Sequence, residues 1–174
     1  MVERQLELVS DGTWEPIRVL FVCLGNICRS PLAEAVFRHR VEERGWTDRF
    51  EIDSAGTSGW HRGAPPDSRS AEVARRRGIE VAGASRKVVA ADLRRFHYVI
   101  AMDEENLDAL RELQASAGGT AQVRRLREFE PRAASLDVPD PYYGGARGFE
   151  EVHDIVERAC AGLLAHIAAE HGLR

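Results

Sequence analysis

Apolar and polar positions follow two different periods along this chain. From Ile17 to Val22 the run "IRVLFV" is apolar at every position but one, the pattern of a short strand buried on both faces of a parallel sheet. Beyond a small-residue loop, Pro31 stands where a first helical residue is favoured. Leu32, Val36, Phe37 and Val41 then repeat at helical spacing as far as Gly45. "FEIDSAG" (50–56) predicts a second strand ending in a glycine turn, and residues 68–77 a helix closed by Gly78. "FHYVIAM" (96–102) predicts a third buried strand, Leu107, Leu110 and Leu113 a helix ending before Gly118 and Gly119, and "QVRRL" (122–126) a shorter fourth strand. Val152, Ile155, Val156, Ala159, Cys160, Leu163, Leu164 and Ile167 then mark the clearest helix of the chain.

Strands alternating with helices predict an α/β fold: a three-layer α/β/α sandwich around a central four-stranded parallel twisted sheet. At 174 residues a single core is expected. Residues 17–174 are read as that domain. Residues 1–16 are read as a polar N-terminal extension with one alternating patch, Leu6, Leu8 and Trp14, either flexible or a short hairpin around "SDG".

Composition narrows the function classes. Hydrophobic residues are 44% and charged residues 30% of the chain, with a formal net charge of −4, so no bulk attraction to nucleic acid or anionic membrane is expected. The clusters "ARRRG" (74–78) and "VRRLRE" (123–128) read as solvated faces. No apolar stretch is long enough to span a membrane, and the first residues lack the basic start and apolar core of a secretory signal. Three cysteines make no disulfide framework, which points to a reducing cytoplasm. The six histidines show no metal-ligand spacing, so no metal and no cofactor is expected.

The chemistry concentrates in "VCLGNICRSP". A strand feeding a loop of small residues feeding a helix is a layout for an anion, because loop N–H groups and the helix N-terminus offer positive partial charge. The nucleotide-binding loop ends in Gly-Lys-Ser/Thr, and here Ile27-Cys28-Arg29-Ser30 stands instead. Cys23 opens the loop and Arg29 follows it closely. N–H donors and a guanidinium around a thiol favour its nucleophilic form, and Arg29 can hold two oxygens of a tetrahedral anion with its planar fork. Ser30 can donate to the sulfur, Asn26 can fasten the loop backbone, and Gly25 allows an unusual dihedral or a close approach. Farther on, "VPDPYYGG" sets Asp140 on a loop stiffened by Pro139 and Pro141. From spacing alone it is either a proton donor or a turn with surface tyrosines.

Taken together, "VCLGNICRSPLAEA" (22–35), "DSAGTSGWHRGAPPD" (53–67), "YVIAMDEEN" (98–106) and "DPYYGG" (140–145) resemble the low-molecular-weight protein tyrosine phosphatases over roughly residues 17–170. The resemblance implies metal-independent hydrolysis of phosphotyrosine in proteins, and of small aryl phosphates, through a cysteinyl-phosphate intermediate. Cys23 would be the nucleophile, Arg29 the phosphate ligand and Asp140 the general acid and then base. Cys23, Leu24, Gly25, Asn26, Ile27, Cys28, Arg29 and Ser30 would form the phosphate-binding loop. Trp60, Tyr142 and Tyr143 would wall the substrate pocket. Asp103 would brace the loop or Arg29, or cap the following helix, or both. Cys28 would pair reversibly with Cys23 under oxidant, and Cys160 is expected in the core.

The resemblance also implies a histidine supporting the loop asparagine. Ala84 takes its place here, so Ser85 or another group is expected to support Asn26. The implied partner is a tyrosine-phosphorylated protein, a tyrosine kinase among the candidates, with no nucleic acid or membrane, and the chain is expected to be a cytoplasmic monomer or weak dimer. Phosphoarginine phosphatases of the same family carry Thr after the loop asparagine, where this chain has Ile27. Thioredoxin-coupled arsenate reductases need a cysteine relay, and no cysteine lies between Cys28 and Cys160. A binding module with a dead site is disfavoured, since Cys23, Arg29 and Asp140 are all present.

Overall fold

The computed structural model describes residues 15–141 and 145–174. Among them, four strands form one parallel sheet: Ile17–Cys23 (β1), Phe50–Gly56 (β2), Tyr98–Ala101 (β3) and Gln122–Arg125 (β4), in the order β2-β1-β3-β4. The helices are Arg29–Glu43 (α1), Ser68–Arg76 (α2), Ala90–Arg95 (α3), Glu104–Ala117 (α4) and Ala146–His171 (α5). Short 3-10 turns stand at Thr47–Arg49 and Leu126–Phe129.

Side-chain alternation assigns the helices to faces. Ile17, Val19, Phe21 and Cys23 of β1, with Tyr98 and Ile100 of β3, pack with α1 and α5. Leu20 and Val22, with Val99 and Ala101, pack under Leu93 of α3 and Leu107 and Leu110 of α4. Both faces are covered, which is why β1 reads as an almost unbroken apolar run. On the first face Phe21, Phe37 and Phe50 meet at ring separations of 5.5 and 5.6 Å, anchoring α1 to the sheet. α5 also runs against α1, α2 and the Leu126–Phe129 turn. A Cβ on Gly162 would lie 1.8 Å from the Phe129 carbonyl oxygen, so this crossing requires glycine.

Three details depart from the sequence reading. α1 begins at Arg29, two residues before Pro31, which therefore sits inside the first turn, where a missing N–H costs nothing. α3 was not expected. Its six residues bury only Asp92 and Leu93, too little for a periodic signal. The cluster at 123–128 is not a solvated face throughout: Arg127 is buried, donating to Glu130 at 2.7 Å and to the Asp137 carbonyl at 2.7 Å. Residues 1–14, with the patch of Leu6, Leu8 and Trp14, lie outside the described residues. Among the described residues no helix is long and apolar enough to cross a membrane.

The order β2-β1-β3-β4 places the connection out of β1 toward α1, on the face opposite α3 and α4. Chain neighbours diverge to either side of β1, so a crevice opens beyond its carboxyl end. The Cys23–Ser30 loop lies there.

Candidate active site

Cys23 closes β1 with its sulfur almost fully buried. The Asn26 backbone N–H donates to Cys23 Sγ at 3.2 Å, and the Ser30 hydroxyl lies 3.0 Å from the same sulfur. Asn26 makes this turn with φ +54°, a left-handed conformation that asparagine tolerates better than most residues. Its side chain is fully engaged. The amide nitrogen donates to Ser30 Oγ at 2.8 Å and Ser54 Oγ at 3.0 Å, while its oxygen accepts from the Arg86 N–H at 3.0 Å. The Ser54 hydroxyl in turn donates to Glu34 at 2.8 Å. Ser85, expected to support Asn26, donates instead to the Gly25 carbonyl at 2.9 Å, so Asn26 is held from β2 and the Arg86 backbone. Ala84 is exposed and takes no part.

Arg29 opens α1 and is buried. Its Nη1 donates to Asp103 at 2.6 Å and to the Val138 carbonyl at 3.0 Å, and its Nη2 lies 3.5 Å from Asp140 Oδ2. Burial works against the Arg29 charge. The Cys23 sulfur, Asp103 and Asp140 outweigh it and raise the guanidinium above its ordinary pKa. Asp103 serves both expected purposes, because its other oxygen accepts the Asn106 N–H at 2.8 Å and caps α4.

Asp140 stands two residues beyond a fixed point. Val138 N–H donates to the Met102 carbonyl at 2.8 Å, and Asp137 is held by the Glu104 N–H and by Arg125 and Arg127. The Asp140 carboxylate therefore comes over the pocket from the β3–β4 side, while Trp60 comes from the segment after β2. Cys23, Leu24, Gly25, Ile27, Cys28, Arg29, Ser58, Trp60, His61 and Asp140 share one pocket lining. Tyr142 and Tyr143 lie outside the described residues.

His61 is one pocket residue that sequence reasoning missed, with Ser58. A Cβ on Gly25 would stand 2.9 Å from His61 Cδ2, so the imidazole lies flush on the loop backbone. Its adjacency to Trp60 was the one available signal. Cys28 packs with Ile27, Val73 and Phe149. Burial, reinforced by Asp67 and Cys23, pushes its thiol up to about 12. Cys160 is wholly buried, and burial raises its thiol further.

A family described as Low molecular weight phosphotyrosine protein phosphatase matches residues 18–172. A low molecular weight protein-tyrosine-phosphatase of Streptomyces coelicolor is 49% identical over 152 residues, covering 86% of this chain and 93% of its own. The crystal structure of YfkJ from Bacillus subtilis superposes with a TM-score of 0.84 at 46% identity, over 90% of this chain and 97% of that one. The crystal structure of a drosophila arginine phosphatase superposes with a TM-score of 0.83 at 33% identity, over 87% of this chain and 98% of that one. By the match of nearly its whole length, the chain belongs to the low molecular weight phosphotyrosine protein phosphatase family.

Proposed function

We propose that this phosphatase hydrolyses phosphotyrosine in proteins in two steps, with Cys23 as nucleophile. In the first step the Cys23 thiolate attacks phosphorus in line and Asp140 protonates the departing aryl oxide. Arg29 and the loop N–H groups take the equatorial oxygens. In the second step Asp140 accepts a proton from water, which displaces Cys23 from the cysteinyl phosphate. The observation that carries this reading is the shared pocket: a sulfur with the Asn26 N–H at 3.2 Å and the Ser30 hydroxyl at 3.0 Å, beside an arginine whose far nitrogen is 3.5 Å from a carboxylate. The N–H stabilises negative charge on sulfur, and once the sulfur is a thiolate the Ser30 hydroxyl can turn its proton to it, both before attack and when the thiolate leaves.

Cys28 is assigned a protective role in the same reading. Oxidant converts Cys23 to a sulfenic acid, and the Cys28 thiol condenses with it to a disulfide and water, which a thiol reductant reverses.

Hydrolysis of an aryl phosphate near pH 6, with chelator present, by wild type and Cys23→Ser tests the reading. Turnover by the wild type and none by the variant is the expected result. An inactive, fully reduced wild type would overturn it. The drosophila neighbour favours a second reading, hydrolysis of phosphoarginine. Ile27 puts an apolar wall where a water-orienting hydroxyl would help, so kcat/KM for a phosphotyrosine peptide is expected to exceed that for the phosphoarginine analogue.

A further inference from the structure

Near the pocket the segment after β2 and the strip it bonds to carry exposed basic residues, although the whole chain has a net charge of −4. Trp60 is 88% exposed, and Leu24 within the Cys23–Ser30 loop is exposed as well. Two basic residues belong to the same segment and the strip beside it. Arg62 follows Trp60 in a turn closed by the Arg62 N–H on the Gly59 carbonyl at 3.2 Å. Lys87 pairs with Gly56 across a β-bridge, and its Cδ lies 3.8 Å from where a Cβ on Gly59 would stand. The segment is pinned to this strip by the Gly63 N–H on the Ser85 carbonyl and the Ser85 N–H on the Ala64 carbonyl, both 2.8 Å.

Neighbouring charges are already committed. Arg69 pairs with Asp67 at 3.0 Å, and Arg86 pairs with Asp53 at 2.9 Å and Asp92 at 3.0 Å. Arg62 and Lys87 are exposed and make no ion pair with another described residue. An exposed apolar side chain near two exposed cations that ion-pair with no other described residue fits a peptide that brings carboxylates to it, because complementary charge at a rim raises encounter rate and selects among partners.

We propose that Arg62 and Lys87 select phosphotyrosine segments flanked by acidic residues, the flanking chain passing over Trp60. This rests on the phosphotyrosine reading above and adds to it a substrate class. The occupant is an acidic peptide, not a membrane or a nucleic acid, since the basic strip is short and the remaining net charge is negative.

The test compares kcat/KM for phosphotyrosine peptides of one length with Glu, Ala or Lys flanks, at low and high salt. It uses wild type, Arg62→Glu, Lys87→Glu and the double variant. Only the ratio between peptides within each protein is read, so a variant with impaired turnover still reports. The Glu-flanked peptide is expected to exceed the Ala-flanked one by roughly 3- to 10-fold at low salt. High salt should shrink that ratio, and the double variant should bring it to one or below, favouring Lys flanks. Equal ratios in the wild type, or an acidic preference that survives in the double variant, would overturn the proposal. Failure of every peptide and of a small aryl phosphate would instead overturn the phosphotyrosine reading, and the two results are distinct.

Discussion

At the scale of the residue, Asp140 depends on its distance from Arg29 and on the anchored pair Asp137 and Val138 behind it. Asparagine keeps its shape but has no proton to give to a leaving oxide. Asp140→Asn is therefore expected to lower kcat/KM, which reports only the steps up to loss of the aryl oxide, by about 10²- to 10⁴-fold on phenyl phosphate, with a much smaller loss on 4-nitrophenyl phosphate, whose leaving group needs little protonation. Parallel kcat/KM measurements on the two esters check this; equal losses would remove Asp140 from the acid's role.

Legibility was uneven at this scale. Cys23, Arg29 and Ser30 could be read from residue type and spacing, because one continuous stretch brings them together. Asp103 and Asp140 gained meaning only through resemblance, since they reach Arg29 across long sequence separations. The Ser54 and Arg86 contacts that hold Asn26 had no local signal. They arise where the end of β2 and the 85–87 strip meet the loop.

At the scale of the element, the long apolar stripe of α5 was plain in the sequence, but one member of its buried face is polar. His153 is fully buried, with Nε2 3.1 Å from Glu157 and Nδ1 without a hydrogen-bond partner. Burial lowers its pKa below the ordinary 6.5, Arg77 at the C-terminal cap of α2 works in the same direction, and Glu157 and Asp154 oppose it. The unfolded chain therefore takes up a proton at a higher pH than the native one. The stability tied to neutral His153 is fully present above about pH 6.5 and is lost as pH falls from there toward the lower native value. For one proton the slope is at most about 1.4 kcal/mol per pH unit. Denaturant unfolding at pH 7.5 and 5.5 should show a smaller loss for His153→Leu than for wild type. An identical loss would place the acid sensitivity elsewhere. α3 shows the opposite case, a short helix with so few buried side chains that periodicity could not announce it, formed because it covers Val99 and Ala101 from the far face.

At the scale of the molecule, the layering followed from the rhythm of strands and helices, whereas close approaches such as Gly162 on Phe129 could not be read, because they depend on how finished elements cross. Fold and pocket are joined at the end of β1, whose neighbours leave in both directions. That geometry has a consequence in time. The proposed nucleophile belongs to the first strand, while the carboxylate that shares its pocket is supplied from residue 140, after the last strand has paired. Contacts of such sequence separation close late in a folding reaction. A refolding chain should thus regain far-ultraviolet circular dichroism before it regains turnover of an aryl phosphate. A nascent chain would carry a sulfur and an arginine with no acid above them, so that catalysis switches on only with the completed sheet.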